Sequence, residues 1–318
     1  MQNRTAKIAI TSKISLFLFI LKALFTMRLD GRRESTNVED RRGRSTATTV
    51  GGIGLGGLII IGVISLLLGK NPLQALQTVQ EIQETMGGVT TSQDPNWQPS
   101  AQEQELAQFA SRILAGTEDV WTEIFRQNGR TYEPPKLVLF SGAVQSGCGG
   151  ATSSSGPFYC SADRTVYIDL SFFMDMRRQI GADGDFAYAY VIAHEVGHHV
   201  QNLLGTLSQA HNQMARSSEA QSNQISVRLE LQADFYAGIW GYYDNKMFGS
   251  LEDGDIQEAL NAASKIGDDY LQKKARGYTV PESFNHGTSA QREKWLKKGL
   301  TTGNLSLGDT FSPNYRDL

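Results

Sequence analysis

The chain has 318 residues, 40% of them hydrophobic and 20% charged, with 30 Lys and Arg against 33 Asp and Glu. That length can bury one substantial core with a small accessory segment, and a net charge of −3 offers no polyanion-binding signature, so a nucleic-acid partner is not expected. An internal repeat, a Walker motif and a helix-opening GxGxxG are all absent, which removes the commonest nucleotide-binding classes.

In chain order, residues 14–25 are apolar but short and interrupted by Lys22, and no small-residue cleavage site follows before the arginines. Residues 50–68 form a run without a charge, long enough to cross a hydrocarbon core of about 30 Å. Gly52 and Gly56 within it have GxxxG spacing, which serves close helix packing and also arises by accident in Gly-rich spans. Arg28, Arg32, Arg33, Arg41, Arg42 and Arg44 precede the run, whereas Lys70 is the one Lys or Arg between it and Ser111. The positive-inside rule then places residues 1–49 in the cytoplasm, a single span at 50–69, and the rest in the periplasm or cell exterior. Residues 70–100, rich in Gln, Thr, Gly and Pro, read as a linker to a domain at 101–318.

The domain opens with helical spacing over 100–127, begun by Ser100 and Glu103 as a capping box. Residues 136–140 and 165–170 read as strands, the second with Val166, Ile168 and Leu170 on one face. Thr165 to Asp169 is the candidate strand for holding an extended substrate, with an ordinary interior strand as the alternative. Cys148 and Cys160 flank a Gly- and Ser-rich loop at 149–156 and, outside the cytoplasm, are expected to form a disulfide. The other possibility is a closed Cys₂His₂ zinc site with His194 and His198, which would leave two glutamates without roles.

His194-Glu195-Val196-Gly197-His198 is an HExxH motif inside an apolar helical stretch, 186–204. Positions i and i+4 lie one above the other on a helix, so both imidazoles can reach one zinc ion, with Glu195 beside it as a base for a bound water. Two core-packed histidines would have the same spacing. His199, at i+5, points away from the ligand face and is expected to pack or to support the site from behind. A catalytic zinc needs a third protein ligand and an open fourth position. Glu230 and Asp234, i and i+4 in a helical segment at 222–242, can supply one ligand and one acceptor for a liganding imidazole, although a solvated acidic face would look the same. Residues 253–272 and 289–300 read as helices, His286 lies in the turn before the second, and His211 sits in a polar segment as a solvated residue.

HEVGHH, the later Glu230-Leu231-Gln232-Ala233-Asp234, the stretch from Gly156 to Cys160 leading into Val166 to Asp169, the run from His286 to Arg292, and the opening at Met27 together resemble the bacterial neutral zinc metallopeptidases, the YpfJ-like family. The resemblance covers Met27 to about Lys298. It implies a zincin-like, predominantly helical α+β domain with a small sheet. It implies a gluzincin-like site with Zn2+ held by His194, His198 and Glu230, Glu195 as general base, His286 as an oxyanion donor, and Asp234 and Arg292 behind the ligands. Because Met27 begins the family-like opening, it is a candidate start with residues 1–26 an extension, and a start at Met1 is the alternative. The expected function is a membrane-anchored metalloendopeptidase acting on a peptide or protein. The alternatives are a catalytically silent tethered binding protein, or an amidase acting on cell-wall peptide. Oligomeric state is not legible.

Overall fold

The computed structural model describes residues 27–46, 91–93 and 96–318. The expected span at 50–69, residues 1–26 and most of the expected linker lie outside the described residues, among which no helix is long and apolar enough to cross a membrane.

A four-stranded sheet carries the strand order β1-β4-β8-β7. Its centre is β4 (Lys136–Phe140) parallel to β8 (Thr165–Asp169), in register from Lys136 opposite Thr165 to Phe140 opposite Asp169. Leu137, Val138, Leu139 and Phe140 are all buried, as expected of a parallel strand covered on both faces. Alternation divides them: Leu137, Leu139, Val166 and Ile168 face the helices, whereas Val138, Phe140 and Tyr167 pack with Phe158 on the other face. That second face is covered by a hairpin of β5 (Ala143–Ser146) and β6 (Gly149–Thr152). The strand β7 (Phe158–Cys160) runs antiparallel on β8 and forms one edge. Thr165 to Asp169 is therefore interior, with both its edges occupied, and cannot accept a substrate strand. The edge strand β7 replaces it as the candidate.

The other edge is β1 (Val38–Asp40), parallel to β4. Residues 27–46, which lie before the expected domain start at residue 101, thus pack against the sheet and helices that follow. Arg32 Nη2 lies 2.8 Å from Asp244 Oδ1, Asn37 Nδ2 donates to Glu118 Oε1 at 2.8 Å, and buried Arg42 donates to Glu103 O at 2.8 Å. Next, β2 (Arg44–Thr46) pairs antiparallel with β3 (Thr91–Gln93), so the chain departs after residue 46 and returns at 91 at one place. A single bilayer crossing between these points would put β1 and β4 on opposite sides, where their hydrogen bonds could not form.

The helices are α1 (Ala101–Gln127), α2 (Ser171–Asp175, continued by a π turn), α3 (Asp185–Leu204), α4 (Thr206–Met214), α5 (Glu219–Phe248), α6 (Asp255–Lys265), α7 (Asp268–Arg276) and α8 (Ser289–Thr302). α1 begins with the expected capping box of Ser100 and Glu103. The segment read as one helix over 253–272 is two, broken at Gly267, where a Cβ would meet Ser289 N at 2.3 Å. The break frees Asp268 to accept from the backbone nitrogens of Asn285, His286 and Gly287 at 2.8, 2.7 and 3.0 Å. α5 and α8 touch through facing glycines: a Cβ on Gly238 would meet Leu296 O, and one on Gly299 would meet Phe235 O, each at 2.3 Å.

Candidate metal centre

The site is built where α3 crosses α5. The crossing is close because Gly197, inside HEVGHH, has no side chain: a Cβ there would lie 2.9 Å from Ala233 O. Contact at that point sets the i and i+4 histidines of α3 against the i and i+4 carboxylates of α5. His194 Nε2 is 3.2 Å from Glu230 Oε2, and His198 Nε2 is 3.4 Å from Glu230 Oε1. Ligand atoms of His194, His198 and Glu230 all lie within 4.8 Å of one another. With zinc bonds of about 2.0–2.1 Å, the edge of a ligand tetrahedron is about 3.3–3.4 Å. The two nitrogen–carboxylate separations match that edge, and two imidazoles with a carboxylate are the donor set zinc hydrolases use. These residues fit the ion.

Behind the ligands lies a buried polar network. His194 Nδ1 is 2.8 Å from Asp234 Oδ1, and fully buried Asp234 also accepts from Arg292 Nε at 2.9 Å, Arg292 Nη2 at 2.9 Å and the Tyr190 hydroxyl at 2.6 Å. Burial works against the Asp234 carboxylate, but Arg292 and His194 outweigh it and hold its pKa down at about 2. The same balance pushes His194 up to about 10: burial opposes its charge, while Asp234 and Glu230 favour it. Glu230 is held well below the usual carboxylate range, because His198, His286 and His194 overcome its burial. The pocket thus favours positive charge between the imidazoles and Glu230. His198 is steadied differently, with Nδ1 2.9 Å from Gln201 Oε1, while Gln201 Nε2 donates to Leu229 O at 2.8 Å.

Glu195 is buried, and burial raises its pKa above the ordinary glutamate value against the pull of His194 and His198. With the ligands it lines a cleft of about 230 Å³ that also takes in His286, the hairpin residues Gly149 to Ala151, and Phe158 and Tyr159 of the edge strand. His286 is buried in the cleft lining, its Nδ1 3.4 Å from Asp268 Oδ1, in a turn pinned by the three backbone bonds to Asp268. Arg292 serves Asp234 and Tyr190, so what it steadies is the His194 side of the site.

His199 is fully buried, its Nε2 2.7 Å from Glu133 O and its Nδ1 2.9 Å from the Tyr159 hydroxyl, so it ties α3 to the edge strand and does not face the metal. His211 is exposed on α4, in a segment that is helical, and lies at the cleft wall. Cys148 and Cys160 are joined in a disulfide, which removes the Cys₂His₂ alternative and ties the hairpin to β7. Tyr190, Gln201, Gly197 and Asp268 were not legible as site residues. Tyr190 and Gln201 carried a signal in retrospect, since Tyr190 is four residues before His194 and Gln201 three after His198 on the same helix.

A family model described as "Putative neutral zinc metallopeptidase" matches residues 27–311. "Uncharacterized protein YpfJ" of Escherichia coli (strain K12) is 49% identical over 293 residues, covering 90% of this chain and 99% of the relative. "Uncharacterized protein Rv2575" of Mycobacterium tuberculosis is 48% identical over 191 residues, 57% of this chain and 64% of the relative. No solved structure matches.

Proposed function

This chain belongs to the neutral zinc metallopeptidase family, and on that premise we propose that it is a zinc-dependent endopeptidase whose ligands are His194, His198 and Glu230. The observation that carries the reading is the spacing of the donor atoms, 3.2 and 3.4 Å across Glu230, with Glu195 beside them and the cleft in front. Zinc bound there would polarise a carbonyl and lower the pKa of a coordinated water from about 15.7 toward about 7.

The protein's part follows from its own groups. Glu195 takes the proton of the attacking water and, because burial raises its pKa, returns that proton to the leaving amine. Asp234, fixed by Arg292 and Tyr190, holds the His194 ring so that Nε2 faces the ligand position. His286 donates to the oxyanion as it develops. An extended peptide lies along β7, whose position at the sheet edge leaves backbone groups to pair with it.

Because the Cys148 to Cys160 disulfide stitches the cleft wall, the domain belongs in an oxidising compartment, outside the cytoplasm. The 27–46 arm, paired with the same sheet, goes with it. Hydrolysis of an unfolded protein by the chain in detergent with added zinc, run beside Glu195→Gln, tests the proposal. Cleavage by the parent alone supports it. Equal cleavage would contradict Glu195 as the base, and none by either with zinc bound would point to a zinc-binding protein that is not a general peptidase.

A further inference from the structure

The cleft in front of the metal centre is unevenly furnished. Imidazoles aside, the charged side chains among the described residues that line it are Glu195, Glu230 and Arg292. Each of these belongs to the centre or to its support, and Arg292 is already paired with Asp234. The wall therefore offers no spare charge to a substrate side chain.

Its apolar part is built on one side. The chain leaves α3 through Gly205, whose φ of 81° lets α4 begin at once, and Leu207, His211 and Met214 of α4, at i, i+4 and i+7, line the cleft as one helix face. Leu207 and Ala210 pack with Leu229 of α5 in a small hydrophobic cluster separate from the main core, and Met214 and Tyr159 lie against it. The cluster adjoins the metal centre, because Leu229 directly precedes Glu230 and its carbonyl accepts from Gln201, the residue whose Oε1 meets His198 Nδ1. Through Tyr159 it also adjoins the edge strand β7. Met214 and Tyr159 are only half-buried, so the cluster stays open toward the cleft.

Resting on the endopeptidase reading, we propose that Leu207, Met214, Leu229 and Tyr159 form its specificity pocket, which selects peptides carrying Leu, Met or Phe at a position flanking the scissile bond. Side chains of an extended peptide alternate between two faces, so one beside the bond points toward α4 while the backbone follows β7. There it leaves water for the cluster, which favours a large apolar side chain about 10- to 100-fold. Met214 has an unbranched, adaptable side chain, which lets one pocket take all three residues. A carboxylate or ammonium in the same place would be desolvated with no counterion.

The test digests synthetic peptides that vary one position at a time with the full chain in detergent and added zinc, and reads the products by mass spectrometry. Leu, Met or Phe at one fixed position beside the cleaved bond should exceed Asp, Glu or Lys about 10- to 100-fold in kcat/KM. Met214 ends α4 and is half-buried, so the stem of a lysine there can lie along the cluster with its ammonium in the cleft. Met214→Lys should cut the apolar advantage about tenfold or more and admit Asp or Glu in its place. Met247→Lys, exposed on α5 away from the cleft, should leave the preference as it is. Cleavage without an apolar preference, or a preference that Met214→Lys does not alter, would overturn the pocket while the endopeptidase reading stands. Binding of the same peptides, fluorescently labelled, to zinc-loaded Glu195→Gln with and without Met214→Lys gives a readout that needs no turnover. If the parent cleaves none of them, the endopeptidase reading fails. Apolar-selective binding that Met214→Lys removes would then still support the pocket, and unselective binding or none would overturn it.

Discussion

His194 Nδ1 and Asp234 Oδ1 lie 2.8 Å apart, joining the two helices that carry the proposed ligands through a pair that Arg292 completes. In the proposed site the bond would fix which His194 nitrogen faces the metal, with Asp234 supporting and Glu230 binding.

Asp234→Asn keeps the shape but removes the charge and leaves the buried Arg292 without its anion. Zinc affinity should fall about 10- to 100-fold, as for other acceptors behind metal-ligating histidines, and stability should fall by about 3 kcal/mol. Competition with a chromogenic chelator and urea unfolding measure the two. An unchanged zinc affinity would show that Asp234 does not orient His194.

Gly197→Ala inserts a methyl where Ala233 O already lies 2.9 Å away. The helices must part by a few tenths of an ångström, costing about 1–3 kcal/mol, and the His–Glu230 separations widen with them. Weaker zinc binding together with the lower unfolding midpoint is the expected pair of results. A midpoint shift with zinc affinity intact would mean that the α3–α5 contact does not set the ligand spacing.

His199 supplies a pH dependence with a defined sign. Burial lowers its pKa to about 4 from 6.5. The unfolded chain therefore binds a proton below about 6.5 that the folded chain resists. The stability His199 contributes is full above that pH and is lost as pH falls toward about 4, amounting to about 3 kcal/mol. The difference in unfolding free energy between the parent and His199→Gln should shrink by about that amount from pH 7 to pH 4. A difference independent of pH would contradict a buried neutral imidazole.

Much of this was legible in the sequence where one segment carries its own periodicity or its own caps. The strand at Lys136–Phe140, the Ser100 and Glu103 cap, and the α3 and α5 faces bearing His194, His198, Glu230 and Asp234 could all be read that way. What could not be read depends on partners distant in sequence. Val38–Asp40 is three residues, two of them acidic, and becomes a strand only beside Leu137 to Leu139, about a hundred residues on. The interior place of Thr165–Asp169 is a matter of strand order. The helix break at Gly267 is set by the approach of Ser289, which leaves no mark on local hydrophobic spacing.

The arm gives a topological prediction. Thr36 and Thr122 are both exposed, one on the arm and one on α1. Thr36→Cys and Thr122→Cys, introduced singly, should react alike with a membrane-impermeant maleimide in intact cells, because β1 and β4 share one side of the membrane. Labelling of one position and protection of the other would restore the single crossing between them.

The most direct measurement is zinc content and peptide hydrolysis on the same preparations of the parent and Glu195→Gln, in the full chain in detergent. Equal zinc, near one ion per chain, with hydrolysis confined to the parent is the predicted result. Hydrolysis by Glu195→Gln at the parental rate would contradict the assignment of Glu195 as the base, and loss of zinc from that variant would contradict its separation from the ligand set.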